Sequence, residues 1–145
     1  MTGHREEQQA GLDEPDRVVV VGPCASGKST LVQGLREIGY DAFVCAQEHS
    51  DIPTLWRRSS PSASLALDVD IDTLRRRRDE HWPESFLVRQ HERLADAFAG
   101  ANALIDTSHL SSMEVLAKAA KALRGAGITP IRSDMGARET DGDIV

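Results

Sequence analysis

The chain has 145 residues, of which 40% are apolar and six are Phe, Trp or Tyr, so it predicts one domain with a mainly aliphatic core. Its net charge is −6, with 23 acidic and 17 basic residues, which excludes attraction of nucleic acid by the overall field of the protein. Two cysteines are too few for a disulfide framework, and no apolar run is long enough to cross a membrane. Residues 1–16 are polar and lack the apolar centre of a secretion signal, so we expect a cytoplasmic protein with a disordered lead-in over these residues.

Strand and helix patterns alternate along residues 17–125, which we predict to form one folded domain. The first strand, over about 17–22, contains four β-branched residues in a row, Val18 to Val21, a composition typical of a strand buried on both faces. A helix over about 28–38 follows it, and Gly39 stands where that helix is expected to stop.

Three more strand patterns and three more helical patterns follow. The strands cover about residues 41–46, 64–69 and 102–107, and the helices cover a segment carrying Arg75 to Arg78, residues 84–99, and a last segment that begins at a capping box of Ser111 and Glu114. The polar residues 126–145 are predicted to form a flexible tail. The alternation predicts an α/β protein with a three-layer α/β/α fold and a mostly parallel sheet of about four to five strands. Ligands bind such sheets at the carboxyl ends of the strands.

The loop after the first strand carries the strongest functional pattern in the chain. It reads Gly22-x-x-x-x-Gly27-Lys28-Ser29, the Walker A pattern of phosphate-binding loops. The two glycines are expected to adopt backbone angles that other residues cannot and to leave room for phosphate oxygens. The compact residues between them let the loop curl, so that its N–H groups form an anion nest at the positive end of the following helix.

Each residue of this loop has a predicted role. Lys28 supplies a cation to the β- and γ-phosphates, Ser29 offers its hydroxyl to Mg²⁺, and Thr30 lies near the α-phosphate. The alternative is a glycine-rich turn with an ordinary lysine. The residues predicted to bind the nucleotide are Gly22, Pro23, Cys24, Ala25, Ser26, Gly27, Lys28, Ser29 and Thr30.

Two carboxylates at strand ends are candidate catalytic groups. Glu48 follows the second strand and can hold Mg²⁺ through water or accept the proton of an acceptor hydroxyl; the alternative is a solvated loop acid. His49 beside it is a candidate site group or a surface histidine. Asp68 lies in an otherwise apolar strand, where it either serves as an acid near Mg²⁺ or hydrogen-bonds a loop or helix. The predicted Mg²⁺ ligands are therefore Ser29 and Asp68, and a bridging water can stand between the ion and these side chains.

Arg75 to Arg78 place four consecutive cations on one helix. Successive helical residues turn by about 100°, so the four cannot share one solvent-facing side, and at least one must approach the packed side or a ligand. A guanidinium fork is well suited to phosphate. The alternatives are a solvated helix end and, more weakly, a local patch for nucleic acid.

From Val18 to about Leu123 the chain resembles the small P-loop kinases of the nucleoside-monophosphate-kinase and shikimate-kinase group. The resemblance rests on the Walker A loop, on the strand and Arg-bearing helix from Leu67 to Arg78, and on the last strand and helix from Ala103 to Val115. It implies the P-loop NTPase fold, Mg-ATP as ligand and phosphoryl transfer as reaction. By position it implies that lid arginines, here Arg77 and Arg78, contact phosphates and that Thr107 and Ser108 lie against the adenine.

The chain departs from that group between its second and third strands, where only about seventeen residues separate Ala46 from Ser64. The family uses this region to hold the second substrate. The resemblance therefore leaves the acceptor unidentified. The expected function is that of an ATP-dependent kinase acting on a small acceptor, and the residues expected to be catalytic are Lys28, Arg77, Arg78, Glu48 and Asp68. The alternatives are a nucleotide-binding regulatory module with little turnover and a simple NTP hydrolase.

Overall fold

The computed structural model describes residues 16–78 and 81–131. The predicted lead-in up to residue 15, residues 79–80 after the Arg-bearing helix and residues 132–145 of the predicted tail lie outside the described residues. The predicted α/β class is confirmed, since strands and helices alternate along the described chain. The elements are β1 (Arg17–Val21), α1 (Lys28–Glu37), β2 (Asp41–Val44), β3 (Ala63–Asp68), α2 (Ile71–Arg78), α3 (Glu84–Gly100), β4 (Ala103–Asp106) and α4 (Ser112–Gly125), with 3₁₀ turns at Gln47–His49 and Leu55–Arg57.

The four strands form one parallel sheet in the order β2-β1-β3-β4. The chain moves outward from β1 to β2 and then crosses back to β3, so the direction of winding reverses between β1 and β3. In open parallel sheets the carboxyl end of such a reversal is a crevice in which ligands bind. The loop over residues 22–27 leaves β1 at this crevice, beside the end of β3.

Helices cover both faces of the sheet, which is compatible with the predicted three-layer arrangement. Val18 and Val20 pack in a core cluster with side chains of α1 and α4, whereas Val19 and Val21 pack with Leu94 of α3 on the opposite face. All four valines are fully buried, as predicted, and burying one such side chain is worth roughly 1.5–3 kcal/mol. Within residues 16–78 and 81–131, no helix is long and apolar enough to cross a membrane.

The predicted C-terminal end of α1 and the predicted start of α4 are confirmed. Gly39 has a φ of 104°, its amide donates to the Arg36 carbonyl and the Tyr40 amide donates to the Leu35 carbonyl at 2.9 Å, which is the Schellman arrangement that closes a helix. At the start of α4 the Ser111 hydroxyl accepts from the Glu114 amide, while the Glu114 carboxylate accepts from the Ser111 amide. The chain after α4 passes the C-terminal end of α1, since the Ile131 amide donates to the Gly39 carbonyl at 2.7 Å.

The start of α2 gives a pH-dependent prediction. The Asp70 carboxylate accepts a hydrogen bond from the Thr73 amide at 2.7 Å, and this bond lowers the pKa of Asp70. A lowered pKa in the folded state means that the cap stabilises the fold above the unfolded pKa of about 3.9, and that this contribution is lost as the pH falls through the folded value. Asp70→Ala is therefore expected to cost about 1 kcal/mol at pH 7.

Urea denaturation of the Asp70→Ala variant at pH 7 and at pH 3 measures this effect. The difference in free energy of unfolding from wild type should be smaller at pH 3 than at pH 7, because stability that rests on a lowered pKa is lost progressively as the pH falls below the unfolded pKa. Asp72→Ala, which removes an exposed acid from the first turn of the same helix, is the matched control and should cost less. Equal losses in the two variants at pH 7 would contradict the cap.

Candidate functional site

The loop from Gly22 to Gly27 has a concave backbone. Ala25 and Gly27 have positive φ values of 63° and 100°, whereas Ser26 between them does not. A left-handed alanine costs on the order of 1 kcal/mol, so surrounding contacts must hold it there. Alternation between right- and left-handed residues turns successive amides toward one point and makes an anion-binding concavity. No side chain caps the start of α1 within the described chain, so its first amides add to the same positive region.

The two glycines of the loop are required for different reasons. Gly27 adopts the left-handed conformation that the sequence predicts. The φ of Gly22 lies outside that range, so the prediction of unusual backbone angles is wrong for Gly22. A Cβ at Gly22 would lie 2.6 Å from Ser26 Oγ and 2.8 Å from the Leu67 carbonyl oxygen. Gly22 is therefore required because the loop and β3 pack against its Cα.

Replacing Gly22 with alanine is expected to lower the free energy of unfolding by about 1–3 kcal/mol, because the backbone of Leu67 must move to admit the methyl group. Gly125→Ala at the end of α4 is the matched control, since nothing lies within 4 Å of a Cβ there. Urea denaturation compares the two variants. A Gly22→Ala protein as stable as Gly125→Ala would contradict the close packing.

Lys28 lies across the loop. Its Nζ donates to the Gly22 carbonyl at 2.8 Å, to the Pro23 carbonyl at 3.1 Å and to Glu48 Oε2 at 2.9 Å. The side chains of Lys28 and Glu48 are only 11% and 5% exposed, so this is a largely buried ion pair. The alternative that Glu48 is a solvated loop acid is therefore wrong.

Two buried polar atoms beside the loop have no hydrogen-bond partner among the described residues. They are Ser26 Oγ and Glu48 Oε1. An unsatisfied buried group costs about 1–3 kcal/mol, and native proteins satisfy most such groups with protein, water or a ligand. Both atoms lie in or beside the same loop. A group bound there could form the hydrogen bonds that these two atoms lack.

Asp68 lies at the carboxyl end of β3 and is partly exposed. Its Oδ1 lies 2.8 Å from His91 Nε2 of α3 and accepts from the Val69 amide at 2.8 Å. One predicted alternative for Asp68, a hydrogen bond to a helix, is therefore observed. Its role near Mg²⁺ stays a prediction, as do the roles of Ser29, an exposed residue at the start of α1, and of Thr30.

Arg77 joins α2 to the loop. Its guanidinium donates to the Ala25 carbonyl at 2.7 Å and to the Thr107 carbonyl at 2.6 Å, and the Thr107 hydroxyl donates to the Ser26 carbonyl at 2.8 Å. The four arginines do not share one solvent-facing side, as the helical turn predicts, and two of them contact Trp82. Arg75 donates to the Trp82 carbonyl, Arg76 to the Thr73 hydroxyl, and Arg78 lies over the Trp82 ring.

A cavity of about 330 Å³ opens between the loop, α2 and α4. Thr107 lines it, but Ser108 does not: the Ser108 hydroxyl donates to Asp106 Oδ1 at 2.6 Å and accepts from the Asp70 amide. The bond from Ser108 lowers the pKa of Asp106. The structure thus brings only Thr107 of this predicted pair to the cavity. The lining residues are Ala25, Ser26, Gly27, Thr30, Leu31, Arg77, Arg78, Thr107, Leu110, Ser112 and Val115.

Sequence reasoning missed two residues of α3 that contact the site. Gln90 is buried, and its Oε1 accepts from the Cys24 amide at 2.9 Å while its Nε2 donates to Cys24 Sγ at 3.3 Å. His91 is the partner of Asp68. A signal for Gln90 was present, because it occupies a position in the buried stripe between Leu87 and Leu94, where an amide must find a polar partner.

The second cysteine lies apart from these hydrogen bonds. Cys45 follows β2, and its amide donates to the Val20 carbonyl at 3.0 Å. Burial, and then the negative charge of Glu48, raise the pKa of the Cys45 thiol. Both Cys24 and Cys45 are free thiols.

Comparisons with known proteins give no family for this chain. No protein-family model matches it, and no curated protein matches it in sequence. Its function is therefore inferred from its own residues and from the geometry around the loop.

Proposed function

We propose that this protein binds a nucleoside triphosphate with Mg²⁺ and transfers the terminal phosphoryl group to a small acceptor, as an ATP-dependent kinase of the P-loop class. The single observation that carries the proposal is the loop from Gly22 to Lys28, which combines the Walker A pattern with a concave backbone at the reversal point of the sheet. Free thiols at both cysteines fit a reducing cytoplasmic setting.

Lys28 and the loop amides are the proposed groups that hold the phosphates. The Nζ of Lys28 is within 3.1 Å of two loop carbonyls, so its charge lies beside the loop. Charge-assisted hydrogen bonds from a lysine and from preorganised amides stabilise the charge that develops on a transferred phosphoryl group. Arg77, which donates to the loop carbonyl of Ala25, and Arg78, which lines the cavity beside the loop, are the proposed further cations.

Mg²⁺ would be held by the Ser29 hydroxyl and, through water, by Asp68. The donor set fits the ion, because Mg²⁺ prefers hydroxyl, carboxylate and water oxygens. When bound it neutralises charge on the β- and γ-phosphate oxygens. The carboxylate of Glu48 has one oxygen on Lys28, and its other oxygen has no partner within residues 16–78 and 81–131. This carboxylate is the proposed proton acceptor for the acceptor hydroxyl.

The cavity beside Arg77 is the proposed site of the base. Its volume of about 330 Å³ lies at the lower end of the range for small-molecule sites. It adjoins the loop at Ala25 and Gly27 and has apolar walls at Leu110 and Val115. A purine bound in this cavity would lie next to phosphates held in the loop, as the two parts of one nucleotide require.

The short segment between β2 and β3 favours a second candidate, a nucleotide-binding regulatory module with little turnover. The helical structure of this segment consists of two 3₁₀ turns, Gln47–His49 and Leu55–Arg57, which offer little surface for a second substrate. Arg77 is also already hydrogen-bonded to the loop carbonyl of Ala25. A simple NTP hydrolase, with Glu48 or Asp68 positioning water, is the third candidate.

One experiment separates the three candidates. The purified protein is incubated with ATP labelled on the terminal phosphate, Mg²⁺ and a panel of nucleosides, nucleotides and small hydroxylated metabolites. Label on an acceptor supports the kinase. Steady release of inorganic phosphate without an acceptor, lost in Glu48→Gln, supports the hydrolase. Tight binding without either reaction supports the module, and it would overturn the proposed phosphoryl transfer.

A further inference from the structure

Three metal-ligating side chains meet beside the loop in an arrangement that nucleotide binding does not require. Cys24 comes from the loop, and Glu48 and His49 come from the 3₁₀ turn after β2. The Cys24 sulfur, a carboxylate oxygen of Glu48 and a ring nitrogen of His49 all lie within 4.8 Å of one another. The parallel pairing of β1 with β2 places these two chain segments side by side.

The spacing matches that of ligands around one small cation. His49 Nε2 lies 3.6 Å from Cys24 Sγ, and a carboxylate oxygen of Glu48 lies within 4.8 Å of both atoms. Around tetrahedral Zn²⁺, with bonds of about 2.3 Å to sulfur and about 2.0 Å to nitrogen or oxygen, neighbouring ligand atoms lie roughly 3.3–3.6 Å apart. The His49 nitrogen and the Cys24 sulfur therefore need to move little to share an ion.

A second observation points independently to a ligand at this position. Glu48 is 4% exposed, and its Oε1 is buried with no partner among the described residues. The carboxylate has two oxygens, so one can keep the hydrogen bond from Lys28 while the other binds a cation. Cys24 is also buried, whereas the side chain of His49 is 55% exposed. The trio is therefore reachable from solvent on the histidine side.

We propose that Cys24, Glu48 and His49 form a binding site for a thiophilic divalent cation, with Zn²⁺ as the expected ion. Thiolate and imidazole select Zn²⁺ over Mg²⁺, which prefers oxygen ligands, so this site is distinct from the proposed Mg²⁺ position at Ser29. On binding, the sulfur–metal bond forms as the thiol proton leaves to solvent. Gln90, which donates to Cys24 Sγ at 3.3 Å, positions the sulfur. Binding of the ion needs no nucleotide, but the site shares Glu48 with the proposed phosphoryl transfer, so a bound ion would occupy the carboxylate oxygen proposed as proton acceptor.

Titration of the untagged full chain with Co²⁺ as a spectroscopic probe, without nucleotide, tests this site. We expect a near-ultraviolet thiolate-to-cobalt charge-transfer band that saturates at one Co²⁺ per chain and disappears when Zn²⁺ is added. Cys24→Ser should abolish the band, and His49→Asn should weaken Co²⁺ binding at least tenfold. The matched controls are Cys45→Ser, at the other free cysteine, and His109→Asn, at another exposed histidine, and both should bind as wild type does.

Absence of the band in the wild-type protein would overturn the proposed site, as would a band that persists in Cys24→Ser or is lost in Cys45→Ser. Circular dichroism verifies the fold of each variant. His49 is exposed, so His49→Asn keeps the test decisive if Cys24→Ser fails to fold, and unchanged Co²⁺ affinity in His49→Asn would equally refute the site. Because no nucleotide is present, failure here leaves the proposed nucleotide site untouched, and failure of that site leaves this one untouched.

Discussion

Replacing Lys28 with methionine is expected to weaken binding of Mg-ATP about 100-fold. Methionine keeps the length of the side chain but removes its charge and its hydrogen bonds. A hydrogen bond between charged groups is worth roughly 1.5–3 kcal/mol, and two such bonds to phosphate oxygens correspond to ~100-fold or more in affinity. Isothermal titration calorimetry with ATP and Mg²⁺ measures the change.

Lys118→Met is the matched control, because Lys118 is an exposed lysine on α4. Its affinity for Mg-ATP should equal that of wild type. The titrations are run in conditions where circular dichroism finds the Lys28→Met variant folded, so that loss of binding is not loss of structure. Undiminished binding by folded Lys28→Met would contradict the role assigned to this lysine.

The same substitution is expected to destabilise the fold through Glu48. The Lys28–Glu48 pair is 2.9 Å long and its side chains are 11% and 5% exposed, so removing the lysine leaves a buried carboxylate without its cation. Breaking a buried ion pair on one side typically costs about 3–5 kcal/mol, whereas replacing both partners by uncharged groups can be nearly neutral. The double variant Lys28→Met with Glu48→Gln should therefore be more stable than Lys28→Met alone.

A double-mutant cycle measured by urea denaturation gives the coupling free energy between Lys28 and Glu48. The control cycle uses Arg17 and Asp41, an exposed pair 3.9 Å apart with side chains 48% and 40% exposed, for which the coupling should be below about 1 kcal/mol. A coupling at Lys28–Glu48 no larger than that of the surface pair would show that the buried pair does not hold the loop to the 3₁₀ turn.

The elements that could be predicted from sequence are those whose cause is local. Val18 to Val21 indicate a buried strand by composition, Gly39 ends α1 through its own backbone conformation, and Ser111 with Glu114 form a cap within three residues. Each depends on neighbours along the chain. The order of the elements then fixed the α/β class, because alternating strands and helices have few ways to pack.

The contacts that could not be predicted join residues far apart in the chain. Gln90 reaches the Cys24 amide, and His91 reaches Asp68, only because α3 packs across the carboxyl ends of β1 and β3. The burial of Glu48 likewise depends on how the segment after β2 folds back toward the loop, which no local pattern encodes. For Gly22 the prediction of an unusual φ was wrong, and the close approach of Leu67 supplies a requirement for glycine that the sequence does not show.

The most direct test of the proposed phosphate-binding loop is a calorimetric titration of the wild-type protein with ATP and with GTP in the presence of Mg²⁺. We expect one molecule of at least one of these triphosphates to bind per chain, with affinity that falls when the β- and γ-phosphates are removed. If the folded protein gave no binding isotherm with either triphosphate, the concave backbone between Gly22 and Lys28 would not be a phosphate site, and the proposed function would be contradicted.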